Sequence, residues 1–338
     1  MPPSILVTGG AGLIGSALIH ALNQRGCEDI LVTDVLGEDM KWKNLSPLRF
    51  DDYMQAEDLI DLLECNPDAL NSIRTIYHLG ACSATTERDV GYLIKNNYGY
   101  TKTLARWALQ HGIRFVYASS AATYGDGAKG MDDGTDHLDT LRPLNAYGYS
   151  KHLFDLYAKR NGWLQQEGGI VGIKYFNVYG PNEGHKGEMR SLVSKAYEQI
   201  VETGKVCLFC SHRPDYRDGE QMRDFVYVKD AVEMTIHLAE TPSAHGLFNI
   251  GTGTPRTWID LTNALFDALD RKPEIEFIDM PEHIRNQYQY HTCADISRLL
   301  ATGWNTPTMP LEPAISDYVR NYLVPGKHLG DEAGNKHD

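Results

Sequence analysis

Apolar and polar positions along the chain follow two alternating periods. Short β-branched runs at residues 4–8, 30–34, 75–79, 115–118 and 170–176 predict strands. A three-to-four-residue apolar repeat at 16–25, in the later part of 45–64, at 93–111 and around 147–151 predicts helices. Strand and helix alternate as far as residue 176, which predicts an α/β fold with a doubly wound parallel sheet. After Asn177 the pattern loosens. Residues 190–204 read as a helix, 206–209 as a strand and 211–222 as a charged loop. Strand-like sequence returns at 225–228 and 248–250, and helices follow at 261–269 and 316–323. One domain is therefore expected from 1–176 plus about 222–252, and a smaller one from 177–221 plus about 253–324. The polar residues 325–338 are expected to be disordered.

The first strand runs into Gly9-Gly10-Ala11-Gly12-Leu13-Ile14-Gly15 and then a helix. Glycines in such a turn let the backbone approach a pyrophosphate, and the helix N-terminus supplies amide donors. Asp34 ends the second strand, 19 residues beyond Gly15, where a carboxylate can bond an adenosine ribose. By itself Asp34 argues for NAD, because it repels a 2′-phosphate. Lys41 offsets that repulsion, so NADP and NAD both remain open on local grounds. Asp51 and Asp52 are either near the adenine or ordinary surface acids. Gly80-Ala81-Cys82-Ser83, after the strand ending at Leu79, are small enough for a cofactor to lie across them. Asn96 and Asn97, near the start of the next helix, either brace the neighbouring strand backbone or simply cap.

Ser119 and Ser120 fall at the carboxyl edge of the predicted sheet, where ligands bind in this architecture. Tyr147 and Lys151 are four residues apart and share one helix face. An ammonium beside a phenol favours the phenolate, so the pair can take a proton from a sugar hydroxyl and return it. Tyr-x-x-x-Lys is also a common surface pair, and only its setting distinguishes the two readings.

At 338 residues the chain can bury a large core, and its 42% hydrophobic and 23% charged content is that of a soluble globular protein. A net charge of −13 without a basic run speaks against a nucleic-acid surface. No apolar run approaches the roughly 20 residues that span a bilayer. The six cysteines are scattered through apolar segments, which reads as reduced thiols in a cytoplasmic protein. Cys207 and Cys210 have CxxC spacing without a second pair, so they read as strand residues and no metal site is expected. Arg213, Arg217 and Arg223 concentrate positive charge in an acidic protein, as an anionic ligand such as a sugar diphosphate requires; a solvated basic face is the alternative.

Taken together, the glycine turn at 9–15, the serine turn at 119–125, YGYSK at 147–151, NVYGP at 177–181, RDFVYV at 223–228 and NIGTG at 249–253 resemble the extended short-chain dehydrogenase/reductase superfamily. They occur in that superfamily's order and cover nearly the whole chain. Three longer runs are similar to the ADP-L-glycero-D-manno-heptose 6-epimerase family of bacterial lipopolysaccharide inner-core precursor synthesis. These are 80–87, 118–125 and, above all, 175–187. The resemblance implies a Rossmann-like domain with a C-terminal substrate-binding domain, a cytoplasmic homo-oligomer (a pentamer), and bound NADP, with NAD possible. It implies that Ser120, Tyr147 and Lys151 form a catalytic triad and that Lys186 is a second acid/base group. Cofactor contacts are implied at Gly9, Gly12, Leu13, Ile14, Gly15, Asp34, Val35, Lys41, Leu79, Gly80, Ala81, Cys82, Ser83, Asn96, Tyr147, Lys151, Val178 and Lys186. ADP-heptose contacts are implied at Ser83, Ser120, Asn177, Lys195, Phe209, Arg213, Arg223 and Tyr288.

Two positions depart from the family pattern. Ala56 stands where a Lys near the NADP phosphate is usual, and Glu188 replaces a Ser at the substrate. A UDP-hexose 4-epimerase would share every cofactor feature but not the Glu183–Gly187 run. A 4,6-dehydratase would carry acids where Ala121 and Ala122 stand. A non-catalytic nucleotide-binding relative would typically lack Tyr147 or Lys151.

Overall fold

The computed structural model of the chain describes residues 2–285 and 288–331. Thirteen strands occur in it: β1 (Ile5–Thr8), β2 (Ile30–Asp34), β3 (Asp52–Gln55), β4 (Thr75–His78), β5 (Arg114–Ser120), β6 (Val171–Tyr175), β7 (Asn177–Tyr179), β8 (Val206–Phe209), β9 (Met222–Arg223), β10 (Phe225–Tyr227), β11 (Gly246–Ile250), β12 (Arg256–Thr257) and β13 (Ile275–Ile278). The helices are α1 (Leu13–Gln24), α2 (Ala56–Cys65), α3 (Val90–Leu93), α4 (Tyr100–Gln110), α5 (Ala146–Arg160), α6 (Leu192–Thr203), α7 (Val228–Glu240), α8 (Trp258–Ala268), α9 (Glu282–Arg285), α10 (Ser297–Ala301) and α11 (Leu311–Tyr318). A π-turn at Ile94–Gly99 joins α3 to α4.

Seven strands form one parallel sheet in the order β11-β6-β5-β4-β1-β2-β3. Its central strands are buried along nearly their whole length because both faces are covered. The apolar core on one face includes residues of α1 and α7; that on the other includes residues of α2, α4 and α5. The chain order reverses between β1 and β4, which leaves a crevice at the carboxyl ends of those strands, where α/β sheets bind ligands.

The alternation of strands and helices up to residue 176 is present as the apolar pattern predicts. Three later features differ. The 225–228 run does not join the main sheet: β10 pairs with β7 in a separate two-stranded ribbon. The helix α7, which follows directly, is not evident from that strand-like run, yet it buries eight residues against the sheet. The third difference is the end of the chain. Residues 325–331 fold back on the molecule: Leu329 is fully buried and its amide donates to Asn182 Oδ1 at 3.0 Å. The expectation of disorder from 325 fails here because one apolar side chain and several backbone groups find partners. Residues 332–338, also expected to be disordered, lie outside the described residues.

Outside the main sheet, β8 and β13 pair in parallel, and α6, α8 and α11 contribute to the core beside them. Thr257 and Asp260 form a reciprocal cap at the start of α8. Asn145 caps α5 by accepting from the Gly148 amide at 2.8 Å, and this fixes where the Tyr147–Lys151 turn begins.

Candidate active site

A cleft of about 690 Å³ opens along the carboxyl ends of the central strands. The turn after β1 forms its floor. Gly9 has φ +68°, a conformation that side chains disfavour. A Cβ on Gly15 would lie 2.1 Å from Gly9 O, and one on Gly80 would lie 2.7 Å from Gly9 N. The two loops therefore touch through bare backbone. At the start of α1, Gly12 offers no side-chain cap, so the first amides of the helix remain for a ligand. Asp34 is fixed at the far end: its carboxylate accepts from Ala11 N at 2.9 Å and Val35 N at 2.7 Å, and pairs with Lys41 Nζ at 2.9 Å. A glycine turn that a Cβ would fill, an open helix N-terminus and an oriented carboxylate together fit a dinucleotide.

The catalytic wall is built by β5 and α5. Ser120 ends β5, and its hydroxyl accepts from Ala122 N at 3.1 Å. Tyr147 and Lys151 project from the first turns of α5 into the same cleft. Lys151 Nζ donates to Ala118 O at 2.9 Å. Burial pulls the Lys151 ammonium down to about 8, opposed by the charge of Asp155. The phenol of Tyr147 departs from the simple pairing expectation. Burial raises its pKa above the usual 10, and only the Ser120 hydroxyl draws it back. Burial disfavours the charged phenolate, and this is the largest influence on Tyr147.

Lys186 enters the cleft from the turn after β7 (residues 184–189). Burial lowers the pKa of its ammonium, and Glu183 opposes the shift. Glu183 is not itself an acid/base candidate. It is fully buried and accepts from Ser191 N at 2.6 Å, Ser191 Oγ at 2.7 Å and Tyr318 OH at 3.1 Å, which pins the loop that carries Lys186.

The cleft gathers most of the residues singled out in the sequence. Gly9, Gly12, Leu13, Ile14, Gly15, Asp34, Lys41, Leu79, Gly80, Ala81, Cys82, Ser83, Ser120, Tyr147, Lys151, Asn177, Val178 and Lys186 all line it. Seven do not. Val35 is 57% exposed. Asn96 turns away and donates to Tyr92 O at 2.8 Å, while its neighbour Asn97 is the buried one. Lys195 pairs with the exposed Glu188 at 3.5 Å. Arg213 pairs with Asp215 at 2.5 Å and lies over Tyr216 and Tyr290. Arg223 is buried, with its guanidinium over the rings of Trp258 and Tyr288. Phe209 and Tyr288 also lie outside the lining, although Trp258, which donates to Tyr288 OH at 2.8 Å, lines it. Sequence reasoning missed Trp258, His185, Arg190, Gln289 and Thr292, all cleft-lining. Thr292 Oγ donates to Asn177 Oδ1 at 3.3 Å, a link no local motif announces. Ala56, at the first departure from the family pattern, is the first residue of α2.

Residues 5–251 match the model of the NAD dependent epimerase/dehydratase family. The chain belongs to that family. It is 50% identical to the ADP-L-glycero-D-manno-heptose-6-epimerase of Nitratidesulfovibrio vulgaris strain Hildenborough over 319 residues, which are 94% of this chain and 98% of the relative. The Fusobacterium nucleatum protein of the same name is 44% identical over 328 residues, covering 95% and 98%. Among solved structures, the Helicobacter pylori ADP-L-glycero-D-manno-heptose-6-epimerase superposes with a TM-score of 0.78 at 27% identity, covering 95% of this chain and 96% of that one. Likeness to these relatives over nearly the full length makes the chain an epimerase, the family brings a nicotinamide cofactor, and the glycine turn and Asp34 are where that cofactor's dinucleotide fits. No helix among the described residues is long and apolar enough to cross a membrane.

Proposed function

We propose that the chain interconverts ADP-D-glycero- and ADP-L-glycero-D-manno-heptose by transient oxidation and re-reduction at C6. The observation that carries this reading is the presence of Lys186 in the same cleft as Ser120, Tyr147 and Lys151. Likeness along nearly the full length of two heptose epimerases supports it. A bound nicotinamide would take a hydride from C6 and give it back. The protein's part is to move the hydroxyl proton on either face of the carbon.

Tyr147 and Lys186 suit opposite halves of that task. Burial keeps Tyr147 a neutral phenol, a proton donor. Burial lowers the pKa of the Lys186 ammonium, so its proton is exchanged more readily than that of a solvent-exposed lysine. The two groups are shifted in opposite directions, and each would serve as base for one epimer and acid for the other. Ser120 orients the substrate hydroxyl beside Tyr147. Lys151 holds the ribose of the cofactor, and its positive charge lowers the cost of a transient phenolate.

NADP is the proposed cofactor and NAD is tolerated, because Lys41 neutralises the Asp34 carboxylate that would otherwise repel a 2′-phosphate. A cytoplasmic homo-oligomer, pentameric by family likeness, and a role in lipopolysaccharide precursor synthesis complete the proposal. Mass spectrometry of the bound dinucleotide and sedimentation check the first two of these points.

The two-group reading is tested with each epimer added separately to Tyr147→Phe and Lys186→Met. Reduction of the bound nicotinamide is followed by its near-ultraviolet absorbance. Each variant should fail with one epimer and still oxidise the other. Equal loss with both epimers in both variants would exclude a division by face.

A further inference from the structure

We infer that Asp155 and Lys174 form a buried clamp that positions the catalytic Ser120 and Lys151. The inference rests on the reading of those two residues as catalytic. The side chains of Asp155 and Lys174 are both fully buried and meet at 3.0 Å. Two charges removed from water are costly unless every remaining bond is made, and here nearly all are. Asp155 Oδ1 accepts from Tyr117 OH at 2.8 Å and Oδ2 accepts from Ser119 Oγ at 2.8 Å. Lys174 Nζ also donates to Thr123 Oγ1 and lies 4.7 Å from the Tyr124 ring centroid.

These partners bracket Ser120. Ser119 precedes it, and Thr123 follows and donates to Ser120 O at 2.8 Å. A closed ring of hydrogen bonds thus runs from Ser120 O through Thr123, Lys174 and Asp155 back to Ser119. Asp155 is also one helical turn beyond Lys151 on α5, on the same face. Two rungs therefore tie α5 to the end of β5: Lys151 Nζ to Ala118 O, and Asp155 to Ser119 Oγ. A merely structural rung could be apolar, since well-packed hydrophobic residues commonly replace buried ion pairs without loss of stability. Charge does more here, because the Asp155 carboxylate opposes the lowering of the Lys151 pKa by burial. The other groups facing Lys151 are Cys82 from the loop after β4, Tyr147 from its own helix, and His78 of β4, which burial keeps neutral.

The test uses the full-length, cofactor-loaded protein carrying Asp155→Asn/Lys174→Met, which removes both charges at similar volume. The Lys151 13Cε resonance, assigned by its loss in Lys151→Arg, is titrated without sugar. That readout is independent of which sugar is turned over. Its midpoint should fall, because the carboxylate that opposes the effect of burial is gone. The turnover number should fall roughly 10- to 100-fold with KM nearly unchanged, as expected for misplaced reacting groups. Ser119→Ala and Thr123→Val each cut a neutral link of the ring and should lower the turnover number at unchanged KM, which keeps the test open if the double variant fails to fold. An unchanged midpoint in a folded double variant, or unchanged turnover in both Ser119→Ala and Thr123→Val, overturns the clamp. A wild-type protein that leaves ADP-heptose untouched would refute the substrate reading alone, and the Lys151 midpoint would still decide the clamp.

Discussion

Asn97 holds the backbone of Cys82 on both sides: its Oδ1 accepts from the Cys82 amide at 2.9 Å, and its amide donates to the Cys82 carbonyl at 3.0 Å. The same amide donates to Ser150 Oγ at 2.9 Å, and Ser150 Oγ donates to Tyr147 O at 2.7 Å. One buried side chain thus joins the cofactor floor to the catalytic helix. Asn97→Ala would leave the half-buried Cys82 amide and carbonyl without their partner, at a cost of about 1–3 kcal/mol together. Denaturant unfolding should show that loss. Retained dinucleotide, measured on the purified variant, should fall with it, whereas Asn96→Ala should leave stability within ~0.5 kcal/mol of wild type.

The contrast between Asn96 and Asn97 shows where sequence reading reaches its limit. The pair is plainly placed to brace or cap, but successive residues on a helix point about 100° apart, and the π-turn at 94–99 shifts that register further. The main sheet and the cleft were legible because glycine turns, strand ends and the Tyr147–Lys151 spacing are local signals. Trp258 and Thr292 were not, since their place depends on contacts with Tyr288 and Asn177, 30 and 115 residues away. The raised phenol of Tyr147 was likewise hidden, because spacing reveals a neighbouring charge but not the depth of burial. Leu329 is a single apolar residue in a polar tail, below any periodic signal, and yet it anchors the segment.

That anchor has a measurable worth. Gly330 packs against Pro47, and His328 Nδ1 lies 2.9 Å from Asn44 Oδ1. Asn44 in turn donates to Ala11 O at 2.8 Å and Asn182 O at 2.9 Å, joining the tail to the glycine turn and the Lys186 loop. Leu329→Ala should cost about 2–5 kcal/mol, the usual range for a buried leucine. Limited proteolysis should cut the C-terminal segment faster in that variant, and an unaltered cleavage rate would contradict the packing described.

His78 gives the fold an acid-sensitive core. Its ring nitrogens meet Thr8 Oγ1 at 2.7 Å and Thr101 Oγ1 at 2.8 Å. Burial lowers its pKa from 6.5 to about 3. Between those values the unfolded chain binds the proton that the folded chain refuses, so stability is lost as pH falls through that window. The slope from this group approaches 1.4 kcal/mol per pH unit. His78→Gln should be less stable at pH 7 but less steeply destabilised by acid, as read from melting temperature against pH. Parallel acid profiles for variant and wild type would show that His78 does not titrate in this way.

The most direct measurement is an incubation of purified protein with ADP-D-glycero-D-manno-heptose and no added cofactor. Proton NMR would resolve the two C6 epimers. The expected result is equilibration of the pair, which requires both 6-epimerisation and a retained nicotinamide. Tyr147→Phe, folded as wild type, should slow that equilibration roughly 100- to 10,000-fold, as loss of a general acid or base does. Substrate left unchanged by wild type, even after NADP and NAD are supplied, would contradict the heptose assignment.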